Sequence, residues 1–85
     1  MTRNQQIRDE VLLQLYGAGQ RIGLSADHMA RTAKRNGDDF TADEITEAGL
    51  FLVGNGFAEQ VRREVTGEVR FRITSAGVNE YETTQ

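Results

Sequence analysis

Arg62, Arg63, Arg70 and Arg72 are the side chains whose type and spacing have the most chemistry to offer. Guanidinium groups this close together, on a segment that alternates apolar and polar residues, can neutralise phosphate oxygens. Arg31, Lys34 and Arg35 form a second basic group, spaced to share the outward side of a helix near its end. Between the two groups the sign reverses. Asp38, Asp39, Asp43, Glu44 and Glu47 crowd one stretch, and no Lys or Arg occurs from position 37 to 61. Asp43 and Glu47 share a helix side with Leu50, a mixed acidic and apolar surface suited to a basic protein partner.

Other chemistries find little support. The chain has one histidine, His28, and no cysteine, so neither a zinc ligand set nor a thiolate nucleophile can be assembled. Gly54-Asn55-Gly56 follows a helix and precedes a strand, so it reads as a helix stop and not as a phosphate-binding loop. No calcium-loop spacing of Asp and Asn ligands occurs. The expectation is a protein that is not an enzyme, with no catalytic residues, cofactor or metal.

Eighty-five residues predict one domain over positions 1–85, with a core from about 5 to 82 and frayed ends at 1–3 and 82–85. A chain of this size buries roughly 60–65 % of its unfolded surface. Its longest apolar run, Leu50-Phe51-Leu52-Val53, is far short of the ~20 residues that cross a bilayer. The N-terminus lacks a secretory apolar segment, so a cytoplasmic, bacterial-type protein is expected, with no membrane partner. The net charge of −3 is unevenly spread. Residues 1–36 carry +3, residues 37–48 carry −5, residues 58–73 carry +1 and residues 74–85 carry −2. An acidic chain starts at a disadvantage for binding nucleic acid.

The elements that must position these groups follow from periodicity and capping. A first helix is predicted over residues 5–18, with Ile7, Val11, Leu12, Leu15 and Tyr16 inward. Thr2 and Gln5 have capping-box spacing, and Leu13, outside the stripe, is expected under the C-terminal segment. The connector 20–23 has room for a short strand. The second helix starts at N-cap Ser25, stapled by Leu24 and Met29, and stops before Gly37. The third has the sharpest start: Thr41 and Glu44 form a capping box, with Phe40 and Ile45 as the staple. Acids at a helix start are stabilised by its free amides, which accounts for Asp43 and Glu44 without any ligand. Ile45, Ala48, Gly49, Leu52 and Val53 face inward. From Phe57 the period becomes two, predicting a hairpin. A loop at 66–68 would pair Val65 with Val69, Val61 with Ile73 and Glu64 with Arg70. It would also put Arg62, Glu64, Arg70 and Arg72 on one face, with Arg63 on the other. A closing helix at 74–81 packs Val78 and Tyr81 on the core.

In this order the elements resemble the winged helix-turn-helix family, and small MarR- or PadR-like bacterial regulators most of all. The residues that carry the resemblance are Val11-Leu12-Leu13-Gln14-Leu15-Tyr16, Leu24-Ser25-Ala26-Asp27-His28-Met29-Ala30, Leu52 with Gly56-Phe57, and Arg70-Phe71-Arg72-Ile73-Thr74-Ser75-Ala76-Gly77. It spans about residues 5–82, through the order of motifs more than any one of them. The resemblance implies an α+β winged helix: a three-helix core, a two-stranded hairpin wing and a short C-terminal helix. It also implies a transcription regulator on double-stranded DNA, with helix three in the major groove and the wing on the backbone or minor groove. The reading positions would be Thr41, Ala42, Asp43, Thr46, Glu47 and Leu50, none of which is the Arg, Lys, Asn or Gln that most often reads bases. Two functions stand open. One is DNA contact mainly through Arg62, Arg63, Arg70 and Arg72, supplemented by Arg31, Lys34 and Arg35, by a monomer or a homodimer. The other is a protein-interaction domain that uses Asp43, Glu47 and Leu50 against a basic partner, without DNA.

Overall fold

The computed structural model describes residues 2–84; Met1 and Gln85, part of the expected frayed ends, lie outside the described residues. Seven elements follow in order: α1 (Arg3–Ala18), β1 (Leu24–Ser25), α2 (Ala26–Arg35), α3 (Ala42–Gly54), β2 (Ala58–Arg62), β3 (Val69–Ile73) and α4 (Ser75–Thr84). This is an α+β arrangement of four helices and a three-stranded antiparallel sheet of order β1-β3-β2. Among the described residues no helix is long and apolar enough to cross a membrane.

The helices begin where side-chain caps satisfy their first amides. Ser25 Oγ accepts from the His28 amide at the start of α2. At α3 both halves of the capping box form: Thr41 Oγ1 accepts from the Glu44 amide, and Glu44 Oε1 accepts from the Thr41 amide. At α1 only half of the expected box is present. Thr2 Oγ1 accepts from the Gln5 amide, and α1 starts two residues early, at Arg3. Gly37 and Gly56 carry positive φ of 91° and 79° just past α2 and α3, where only glycine turns the chain cheaply.

The core is one cluster. Ile7, Val11 and Leu15 of α1, Met29 of α2, Ile45 of α3, and Phe71 and Ile73 of β3 are its largest fully buried side chains. Phe71 packs flat on Gly49: a Cβ built there would lie 2.8 Å from the ring. That contact fixes the roll of α3 and sends Asp43, Glu47 and Leu50 outward. Val78 and Tyr81 pack against the cluster, as the pattern predicts.

Four expectations need correction. Leu13 is 46 % exposed and not covered by α4, whose Tyr81 stacks instead on Tyr16 at 4.2 Å between ring centroids. The short strand lies at Leu24–Ser25 and not in the connector before it. Arg3 and Glu82, expected to fray, are tied down: Arg3 reaches across to α3, and Glu82 accepts a hydrogen bond from the Tyr16 hydroxyl at 2.9 Å.

The hairpin register is the fourth. Ala58 opposes Ile73, Gln60 opposes Phe71 and Arg62 opposes Val69. Compared with the predicted pairing of Val61 with Ile73, the strand is displaced by three residues, an odd number that reverses its faces. The Arg63 amide donates to the Glu68 carbonyl at 2.9 Å, which extends the ladder and leaves residues 64–67 as the loop. The physical reason lies at the base. The Phe57 amide caps α3 on the Leu52 carbonyl, while the Phe57 carbonyl accepts from the Thr74 amide, and these two bonds lock Ala58 opposite Ile73. Val65, expected in the apolar row, falls in the loop and is 97 % exposed. Matching valines across the turn misleads because β2 is an edge strand that needs only Ala58 in the core.

Candidate functional site

The sheet holds two of the four hairpin arginines in ion pairs. Arg72 lies directly across from Glu59 and bonds its carboxylate, with Nε to Oε1 at 2.7 Å. Arg70 bonds Glu68, not the predicted Glu64, and its Nη1 also donates to the Gly23 carbonyl at 3.4 Å. Both pairs are on the rim of solvent, where such bonds order a side chain more than they stabilise a fold.

Arg62 and Arg63 differ. Arg62 opposes Val69, so it leaves the face that holds Arg70 and Arg72 and joins the Phe71 face beyond the end of the core. The predicted common face of Arg62, Glu64, Arg70 and Arg72 is therefore not formed. Arg63 sits where the ladder opens into the loop, and the Gly67 amide donates to its carbonyl at 2.8 Å. Gly67 has φ 71° and the Glu68 amide donates to Thr66 Oγ1, so the tip is an ordered turn. Among the described residues neither arginine has a carboxylate within ion-pair distance. The hairpin tip is thus a hydrogen-bonded turn with two free guanidinium groups at its base and a bare Val65 at its end.

On α2, Arg31, Lys34 and Arg35 are exposed and are likewise without an ion pair among the described residues. Their position in the last turns suits the helix dipole. Met29 and Ala33 on the opposite side are buried.

The acidic face of α3 divides in two. Glu44 is consumed locally: Arg3 donates to both of its oxygens, at 2.8 and 2.9 Å, and also to the Asp39 carbonyl. The Arg3 guanidinium and then the Thr41 amide hold the Glu44 carboxyl down at about 2, and the same contact raises Arg3. Among the described residues Asp43 and Glu47 have no such partner; they stand exposed with Leu50, which is 45 % exposed.

The acid-only picture of this region still needs amending. Arg8 of α1 stacks on the Phe51 ring, its guanidinium carbon 3.5 Å from the centroid, and borders a small cleft shared with Glu44 and Glu47. Arg3 and Arg8 are the residues that sequence reasoning missed. They are more than 35 positions from their partners, and no local spacing announces a contact at that range.

Among the described residues no three His, Asp or Glu side chains gather as a metal ion would require. No protein-family model matches the chain, and searches of curated proteins and of solved structures return no significant match.

Proposed function

We propose that this chain is a winged helix-turn-helix domain of DNA-associated regulator type that touches the phosphate backbone through its hairpin wing. The observation that carries the reading is topological. The order α1-β1-α2-α3-β2-β3-α4, with sheet order β1-β3-β2, is compatible with a winged helix, and the hairpin arginines without an ion pair among the described residues, Arg62 and Arg63, lie next to its tip. Arg62 and Arg63 carry the phosphate contacts, because Arg70 and Arg72 already hold Glu68 and Glu59. Arg31, Lys34 and Arg35 supply a second basic contact. Base reading by α3 has no part in this proposal: Asp43 and Glu47 would meet phosphate with the wrong sign.

The test is the salt dependence of affinity for a random-sequence duplex. Arg62→Ala with Arg63→Ala should flatten the log K against log salt slope by about 2, close to one unit per lost phosphate contact. Arg70→Ala with Arg72→Ala should flatten it less. No duplex binding at low salt would refute the proposal.

One observation favours a second reading, a protein-interaction domain. Asp43, Glu47 and Leu50 form an exposed acidic and apolar strip on a helix whose roll is fixed from behind by Phe71 on Gly49. Such a face suits a basic partner. Glu47→Lys should abolish that contact and leave the fold unchanged.

A further inference from the structure

We infer that the acidic strip of α3 docks on the basic face of α2 from a second copy of this chain. The inference rests on the protein-interaction reading of α3 and names its partner.

Among the described residues three ion pairs form within the chain: Arg3 with Glu44, Arg70 with Glu68, Arg72 with Glu59. Among the described residues, the basic side chains of α2 without an ion pair are Arg31, Lys34 and Arg35, which follow the acid Asp27 of its first turn; the charges of α3 without one are Asp43 and Glu47, next to Leu50. A protomer cannot satisfy this complementarity by itself. Its α2 and α3 meet in the core through Met29, Ala33 and Ile45, which turns the charged sides of both helices outward.

The spacings match. Positions 31 and 35 on α2, and 43 and 47 on α3, are each four residues apart, about 6 Å along a helix axis. Laid side by side, the two helices present cation to anion twice. Leu50 lies a further ~4.5 Å along α3, within cover of the aliphatic stem of a lysine or arginine. Each copy holds one face of each kind, so a two-fold pair uses both faces twice and leaves none open. Two chains of net charge −3 repel at long range, so the attraction is local and is screened by salt.

The experiment is sedimentation velocity on wild type, Asp43→Lys with Glu47→Lys, and Arg31→Glu with Lys34→Glu and Arg35→Glu, each checked for folding by circular dichroism. Wild type should dimerise with concentration at low salt and dissociate at high salt. Each reversed protein should self-associate more weakly by about tenfold or more, since attractive pairs become repulsive ones. Mixing the two reversed proteins should restore a dimer, because one then presents only basic faces and the other only acidic ones. Asp43→Lys removes an acid from a helix start, so Glu47→Lys mixed with Arg31→Glu repeats the test away from that cap. A wild type that stays monomeric, or a mixture that fails to associate, overturns the inference. A monomer that binds some other basic protein through Glu47 would overturn the second-copy partner and leave the protein-interaction reading standing.

Discussion

Replacing Gly77 by alanine should destabilise this protein, although helix propensity alone says the reverse. Gly77 is in the first turn of α4, where its amide donates to Thr74 Oγ1 at 3.1 Å. A Cβ at that position would lie 2.0 Å from the Phe57 carbonyl oxygen and 2.7 Å from Ile73 Cγ1. The oxygen belongs to backbone that is already held by the Thr74 amide, so it cannot swing aside as a side chain would. Alanine gains up to ~1 kcal/mol in helix propensity over glycine. Overpacking costs typically ~1–3 kcal/mol, and the upper end applies where the obstacle is main chain. The net loss is then about 2 kcal/mol or more, a fall in Tm of roughly 8 °C or more for a domain of this size. Gly17 is the internal control. It is also helical, at ordinary φ, with nothing within 4 Å of its would-be Cβ. Gly17→Ala should raise Tm by a few degrees. Thermal unfolding followed at 222 nm measures both variants in one buffer. A Gly77→Ala protein as stable as wild type would refute the docking of α4 against the base of the hairpin.

Other perturbations have equally definite signs. Glu44 has its carboxyl held at about 2, below the ordinary 4.5, so its pairing with Arg3 stabilises the fold above pH ~4.5 and is lost as pH falls toward 2. Glu44→Gln should therefore show a flatter decline in stability than wild type over that interval, in acid titrations monitored by circular dichroism. Val65→Asp should leave the unfolding free energy unchanged to within about 0.5 kcal/mol, because Val65 is in the loop and 97 % exposed. The predicted Val65–Val69 pairing would instead make it costly. Gly49→Ala should lower stability, because its Cβ would meet the Phe71 ring at 2.8 Å.

Fold and site were legible in the sequence to different depths. Helix starts could be read because capping is local: Thr41 with Glu44, and Ser25 ahead of α2, settle their own boundaries within three residues. The inward stripes of α1 and α3 were equally plain, since 3.6-residue periodicity needs no knowledge of the partner. Hairpin register was not legible. It depends on where Phe57 is pinned between Leu52 and Thr74, a tertiary fact, and the valine pattern pointed to the wrong pairing. The site suffered the same way. That Arg62, Arg63, Arg70 and Arg72 are near one another was readable, but which of them are free was not: Glu59 takes Arg72 through the register the sequence concealed, and Glu68 takes Arg70 from two residues away. The capping role of Glu44 was readable, but Arg3 on Glu44 and Arg8 near Glu47 come from more than 35 positions away and were not.

The central claim is that DNA meets the hairpin tip and not α3. A ¹⁵N-HSQC titration with random duplex DNA at low salt tests it most directly. The account predicts that shift changes gather on Arg62, Arg63 and the 64–67 loop, with weaker ones at Arg31, Lys34 and Arg35. Changes centred on Asp43, Glu47 and Leu50, or no changes at all, would contradict it.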